Sequence, residues 1–323
     1  MMPSRRSVLR LAAGAAALPL LPQSASSQAW PSRPMRMLVG FPAGNAPDIV
    51  ARLIAQSLTE GLGQPVVVEN RPGAASNIAT AEVIRSAPDG YTMQMTVLTN
   101  VFNTTLYRNL NFSFVTDMAH IAGVANAPFV LVVPPSLPVK SVAEFVAHAK
   151  ATPGKLNMGS GGQGSATHIF GELFKAMAGV DLLHVPYRGP YMPDLISGQI
   201  QMVVAPIPQA LPLVRDGKLR ALGVTTAKRL ASLPDVPTVA ETVKGYEAIG
   251  WYGLGVPKGV PADIAGRINA AINKALADPK VVARLAGMGI EPMPMTPAGF
   301  GKFVESEAVK WTKVIKDAGA VAE

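Results

Sequence analysis

Apolar and polar positions along this chain follow two rhythms that take turns. Met35 to Phe41 is a nearly unbroken apolar run, which predicts a strand buried on both faces. From Asp48 to Leu62 apolar residues recur at i,i+4 spacing (Ile49/Leu53 and Val50/Ile54/Leu58), predicting an amphipathic helix with Gly61 and Gly63 at its end. Val66 to Glu69 is the next strand. Ser76 to Ser86 is a helix stopped by Pro88-Asp89-Gly90, and Tyr91 to Val97 is a third strand. This βαβαβ order implies a largely parallel sheet covered by helices.

A second series follows. Its strands are Phe129 to Val133, Lys155 to Met158, Leu182 to Val185, Ile200 to Ala205 and Leu219 to Thr225. Its helices are Ser141 to Ala151, opened by the capping box Ser141/Glu144, then Ser165 to Ala178 and the short Gln209 to Arg215. The tail returns to helix. Pro261 to Ala277 sets Ile264, Ile268 and Ile272 on one face, and Asp278-Pro279 and Thr296-Pro297 open two more helices. In the last, Phe300, Val304, Trp311 and Ile315 form an apolar stripe opposite Glu305, Lys310, Lys313 and Lys316. Two βα series in a chain of 323 residues predict an α/β protein of two lobes.

The N-terminus changes the picture. Ser4-Arg5-Arg6-Ser7-Val8-Leu9 is close to a twin-arginine export signal. An apolar segment, Leu11 to Leu21, and a small-x-small site, Ser27-Gln28-Ala29, follow it. That segment is about half the roughly 20 residues a spanning helix needs. Residues 1–29 are therefore expected to be a cleaved leader, and the mature protein to be periplasmic without membrane insertion. There is no cysteine, which removes disulfides, thiolate metal sites, a thiol nucleophile and a lipid-bearing N-terminal Cys. Net charge is +8; the leader holds three arginines and no acid, leaving +5 on the mature chain. The basic residues form no stripe, so nucleic acid is not an expected partner. The weak positive field favours anions.

Candidate chemistry sits on three loops between strands and helices. In the first, Phe41-Pro42-Ala43-Gly44-Asn45-Ala46-Pro47-Asp48, free amides at a helix start attract an anion. The second, Gly159 to His168, contains G-x-G-x-x-G as Gly159, Gly161 and Gly164. A dinucleotide site would also want an acid after the next strand; Asp181 lies before it, and no P-loop Lys is present. The surviving reading is glycine-exposed amides with the Ser160, Ser165 and Thr167 hydroxyls. His168, in the first helical turn, is favoured neutral by the dipole. The third, His184 to Tyr191, offers Tyr187, Tyr191 and Arg188, whose guanidinium could grip a carboxylate or stand as a rim charge. Enzyme signatures are missing: no G-x-S-x-G, no metal-spaced histidines and no paired carboxylates in these loops. A cofactor-binding enzyme built on the Gly159–Gly164 loop is the alternative reading; no cofactor is expected.

The chain resembles the Bug family, the solute-binding receptors of tripartite tricarboxylate transporters. The resemblance rests on Trp30-Pro31-Ser32-Arg33-Pro34, Phe41-Pro42-Ala43-Gly44, Gly63 to Ala74 (GQPVVVENRPGA), Ala87 to Thr92 (APDGYT), Gly171-Glu172-Leu173-Phe174, His184-Val185-Pro186-Tyr187 and Leu233 to Thr238 (LPDVPT). It implies a periplasmic binding protein of type II, with two α/β lobes joined by crossing strands and a ligand cleft between them. The lobes would be 30–127 with 229–323, and 128–228. It also implies a monomer that captures a small carboxylate and hands it to membrane transporter subunits; a partner that presents its ligand to a membrane sensor is a further alternative reading. By position, the ligand residues would be Phe41, Ala43, Gly44, Asn45, Ala46 and Asp48 in the first loop. Ser160, Gly161, Gly164, Ser165, Thr167 and His168 would serve in the second, and Tyr187, Arg188 and Tyr191 in the third. Four departures stand out: Asn45 for a usual Gly, Pro47 for a hydroxyl residue, a shortened Pro190 to Pro193, and Ala205-Pro206 for a polar pair. They point to a more apolar or aromatic acid than a di- or tricarboxylate.

Overall fold

The computed structural model describes residues 30–107 and 109–317. The expected leader, residues 1–29, lies outside them. Strands β1 (Met35–Val39), β2 (Val66–Asn70) and β3 (Thr92–Val97) are joined by α1 (Ala46–Leu62) and α2 (Asn77–Ile84). β1 is the central strand, parallel to β2 and to β3. It is apolar on both faces because helices cover both. On α1, the side turned to the sheet buries Val50, Leu53, Ile54 and Leu58.

β3 runs directly into α3 (Leu98–Leu106), which is followed by the single turn α4 (Phe114–Asp117) and β4 (Met118–Val133). β4 is a long strand with two sets of partners. Met118 to Pro128 pairs antiparallel with β9 (Ile249–Pro257), and β9 in turn pairs with β3. From Phe129 to Val133 the partners become β7 (Val203–Pro206) and β8 (Arg220–Val224). β5 (Asn157–Ser160) and β6 (Leu183–Pro186) form a parallel pair beside β7. Helices α5 (Val142–Ala151), α6 (Ala166–Ala178), α7 (Met192–Ser197) and α8 (Ile207–Arg215) connect these strands. The tail supplies α9 (Ala262–Ala277), α10 (Pro279–Gly287) and α11 (Pro297–Asp317). The α9 helix packs on α1, and α11 on α3 and β4, so the tail returns to the first sheet.

The caps follow the sequence with one change. Asp278 accepts from the Lys280 amide and Ser141 from the Glu144 amide. Glu144, however, reaches back to the Lys140 amide rather than to that of Ser141. The segment from 229 to 248, expected with the first lobe, keeps to β8 and α6. Thr238 bridges Val224, the Ala248 amide donates to Thr225, and the Tyr246 hydroxyl donates to the Phe170 carbonyl. Behind the crossing strands, Phe170 of α6 meets Phe102 of α3, Phe129 of β4 and Trp311 of α11, with ring centroids 6.1, 4.8 and 5.3 Å apart. The two halves share this apolar cluster and open away from it.

Candidate functional site

A cleft of about 540 Å³ lies between the halves. Four helix starts face it. Ala46 and Pro47 open α1, Leu98 and Thr99 open α3, Ala166 and Thr167 open α6, and Pro206 and Gln209 belong to the start of α8. The first amides of a helix have no partner within it, and each start carries about half a positive charge. Aromatic side chains supply the walls: Phe41, Phe129, Tyr191, Trp251 and Tyr252. Among the described residues, no Asp, Glu, Lys, Arg or His lines the cleft. Nor is any group of His, Asp and Glu among them arranged to hold a metal ion.

The first loop is shaped from behind. Asp48 is buried and does not line the cleft; it accepts from the Gly44 amide at 2.9 Å, from Arg52 at 3.0 Å and from Asn70 at 2.9 Å. Burial pushes its carboxyl up, but these donors outweigh that and hold it below its ordinary value. Gly44 adopts φ +81°, open to glycine at no cost, and its amide is turned toward Asp48. Ala43 and Gly44 are exposed, whereas Phe41, Asn45 and Ala46 reach the cleft.

The glycine loop is likewise bonded to itself. The Gly161 amide donates to Thr167 Oγ1 at 2.8 Å, the Gly162 amide to Ser160 Oγ at 3.2 Å and the Gly164 amide to His168 Nδ1 at 3.1 Å. Ser165 Oγ donates to the Gly162 carbonyl at 2.7 Å and bonds Thr167 Oγ1 at 2.8 Å. What remains toward the cleft is Gly161, Ser165 and Thr167, with the first two amides of α6. Asp181 precedes β6 and therefore lies at the opposite end of the parallel β5–β6 pair from this loop. The acid of a dinucleotide site is thus out of place.

Ser160 and His168 form the loop's buried support. His168 stacks on His184 with ring centroids 3.9 Å apart, and His184 Nε2 bonds Ser160 Oγ at 2.7 Å. Burial lowers both imidazoles to about 4, with each also sensing nearby positive charge. Burial, more than its helix position, favours neutral His168, which faces His184 and Glu172 and does not line the cleft. The Tyr187 hydroxyl donates to Asp194 at 2.6 Å, and burial with that bond raises it to about 12. Arg188 is exposed and does not line the cleft. Tyr191 does, donating at 2.9 Å to Gln209 Oε1, while Gln209 Nε2 donates at 2.9 Å to Asn45 Oδ1. This relay crosses from one half to the other.

Sequence reasoning missed Val97 to Thr99, Ala127, Phe129, Gln209, Trp251 and Tyr252, all of which line the cleft. For Thr99 a signal existed, since Val97-Leu98-Thr99-Asn100 is another strand running into a polar helix start. Trp251 and Tyr252 come from β9, far along the chain from all three loops, which no local pattern reveals.

The model of the tripartite tricarboxylate transporter family receptor matches residues 50–320. The chain belongs to this family. Protein BugT of Bordetella pertussis is 34% identical over 302 residues, covering 91% of this chain and 92% of that protein. Among solved structures, R. palustris Rpa4515 with adipate is 37% identical at TM-score 0.88, covering 90% of this chain and 99% of that one. MatC from Rhodopseudomonas palustris with bound malate is 31% identical at TM-score 0.84, covering 88% and 100%. The family and these neighbours are solute-binding receptors of the two-lobed periplasmic type, not enzymes. Among the described residues, no helix of this receptor is long and apolar enough to cross a membrane.

Proposed function

We propose that this receptor captures a small carboxylate-bearing solute in the cleft and delivers it, as a monomer, to the membrane subunits of a tripartite transporter. The leader would be removed near Ala29. The observation that carries the reading is the convergence of four helix starts on one cleft lined, among the described residues, by no charged side chain. Aligned amides there favour an anion, each start contributing about 0.3–1 kcal/mol when exposed and up to about 2 when partly buried. The neighbours carrying adipate and malate support a carboxylate as that anion.

The lobes are read as 30–127 with 249–323, and 128–248, because β4 changes partners after Pro128 and the chain leaves β8 only at Ala248. Closure would turn about these two crossings.

A thermal-shift screen of the mature chain with matched acids and amides tests the proposal. A rise in melting temperature with a carboxylate, absent with its amide, is expected. Stabilisation by neutral solutes alone would overturn it.

A further inference from the structure

Helix α11 carries one residue that its own pattern does not ask for. Phe300, Val304, Trp311 and Ile315 form its buried stripe, and Glu307 stands in the middle of that stripe, 9% exposed. An apolar side chain would complete the stripe, and a buried polar group is costly unless it is hydrogen-bonded. Glu307 Oε2 accepts from two indole N–H groups, from Trp311 at 3.1 Å and from Trp251 at 3.2 Å. The Trp311 bond runs to the next turn of the same helix and fixes the carboxyl on α11. The Trp251 bond leaves the helix and reaches β9.

The two indoles serve different parts of the molecule. Trp251 is buried and lines the cleft. Phe300 and Phe303 of α11 meet its ring edge to face, with centroids 5.5 and 5.8 Å away. Aromatic packing tolerates a range of directions, whereas a hydrogen bond weakens steeply away from its preferred angle. The bond to Glu307 therefore selects one orientation of the Trp251 indole, with its N–H toward α11. Trp311 lies against Phe102 of α3 and Phe170 of α6, at centroid distances of 5.0 and 5.3 Å. Glu307 thus joins a wall of the cleft to the apolar cluster that the two halves share.

We infer that Glu307, which does not itself line the cleft, is a positioning residue for ligand capture: it holds the Trp251 indole as a fixed wall for the body of the ligand. A side chain that must be ordered on binding subtracts from affinity, so a wall set in place beforehand adds to it. This rests on the cleft being the ligand site, as proposed above, and adds a residue behind it on which capture depends. Gln at position 307 can still accept through its carbonyl oxygen, whereas Met or Leu leaves both indole N–H groups unpaired.

The chain holds three tryptophans, so indole N–H resonances in proton–nitrogen correlation spectra report each one directly once Trp→Phe variants assign them. Trp30 Nε1 is buried with no partner among the described residues and serves as the internal reference. Glu307→Met, or Glu307→Leu should the first not fold, is expected to move the Trp251 and Trp311 signals upfield and leave that of Trp30 in place. Glu307→Gln should move them far less. Isothermal titration with adipate, malate and benzoate supplies the second reading. Glu307→Met should weaken each acid that binds by roughly tenfold, the lower end of what losing an outer supporting group costs a bound one, and Glu307→Gln by much less. In a Trp251→Phe background the same change should cost little more, because its effect travels through the indole. An unmoved Trp251 signal, or an equal loss of affinity with and without the Trp251 indole, would overturn the inference while leaving the carboxylate reading standing. If no acid binds, the carboxylate reading fails, and the Trp251 signal by itself decides whether Glu307 holds the wall.

Discussion

At the scale of single residues, several side chains that the sequence offers as ligand chemistry are bonded within the protein. Asp48 and His168 stand at helix starts, as expected, but their polar atoms face inward and shape the loops from behind. The periodicity that places a residue at a helix start does not say which way its side chain turns. Buried neutral histidines carry a consequence for pH. His120, His168 and His184 are each lowered from 6.5 to about 4, with burial the leading cause. The unfolded chain takes up these protons first as pH falls, so the stability they confer is full above pH 6.5 and is lost on the way down to about 4. Each can cost up to about 1.4 kcal/mol per pH unit in that window. The melting temperature should therefore fall steadily between pH 6.5 and 4.5, and His120→Phe should flatten the slope. A constant melting temperature over this range would contradict it.

At the scale of elements, the strands and helices with clean periodicity were legible, and those that bury polar or glycine-rich faces were not. α3 reads LTNVFNTTL, a poor helix by composition. Its polar side is buried against a network: Asn100 accepts from the Val97 amide and donates to Thr80, while Asn103 donates to the Ala75 carbonyl and to Asn77. β9 hides for another reason. Gly250, Gly253 and Gly255 give it no strand signature, because the space above them is filled from elsewhere by Phe129, Phe300 and Met118. At the entry to α6, Ser165 joins cap and loop, bonding the His168 amide, the Gly162 carbonyl and Thr167. Ser165→Ala should cost about 1 kcal/mol by chemical denaturation. It should also weaken carboxylate binding several-fold by titration, since the amides of that start lose their fixed direction. Unchanged values for both would separate the cap from the site.

At the scale of the whole molecule, the two lobes were legible from the repeated βα series and the family resemblance. β4 passes from one sheet into the next without a break, and no loop marks the crossing. The cleft is assembled from four starts and two crossing strands far apart in sequence, which is why its walls were read less well than its loops. Its lack of charged side chains among the described residues has an effect in solution. Mobile ions screen full charges exposed to water, but they act weakly on fixed amide dipoles turned into a recessed cleft. The grip on the anion should therefore be nearly indifferent to ionic strength, changing less than about threefold in Kd between 0.05 and 0.5 M sodium chloride. A receptor built this way would keep its affinity across wide swings in the salinity around it.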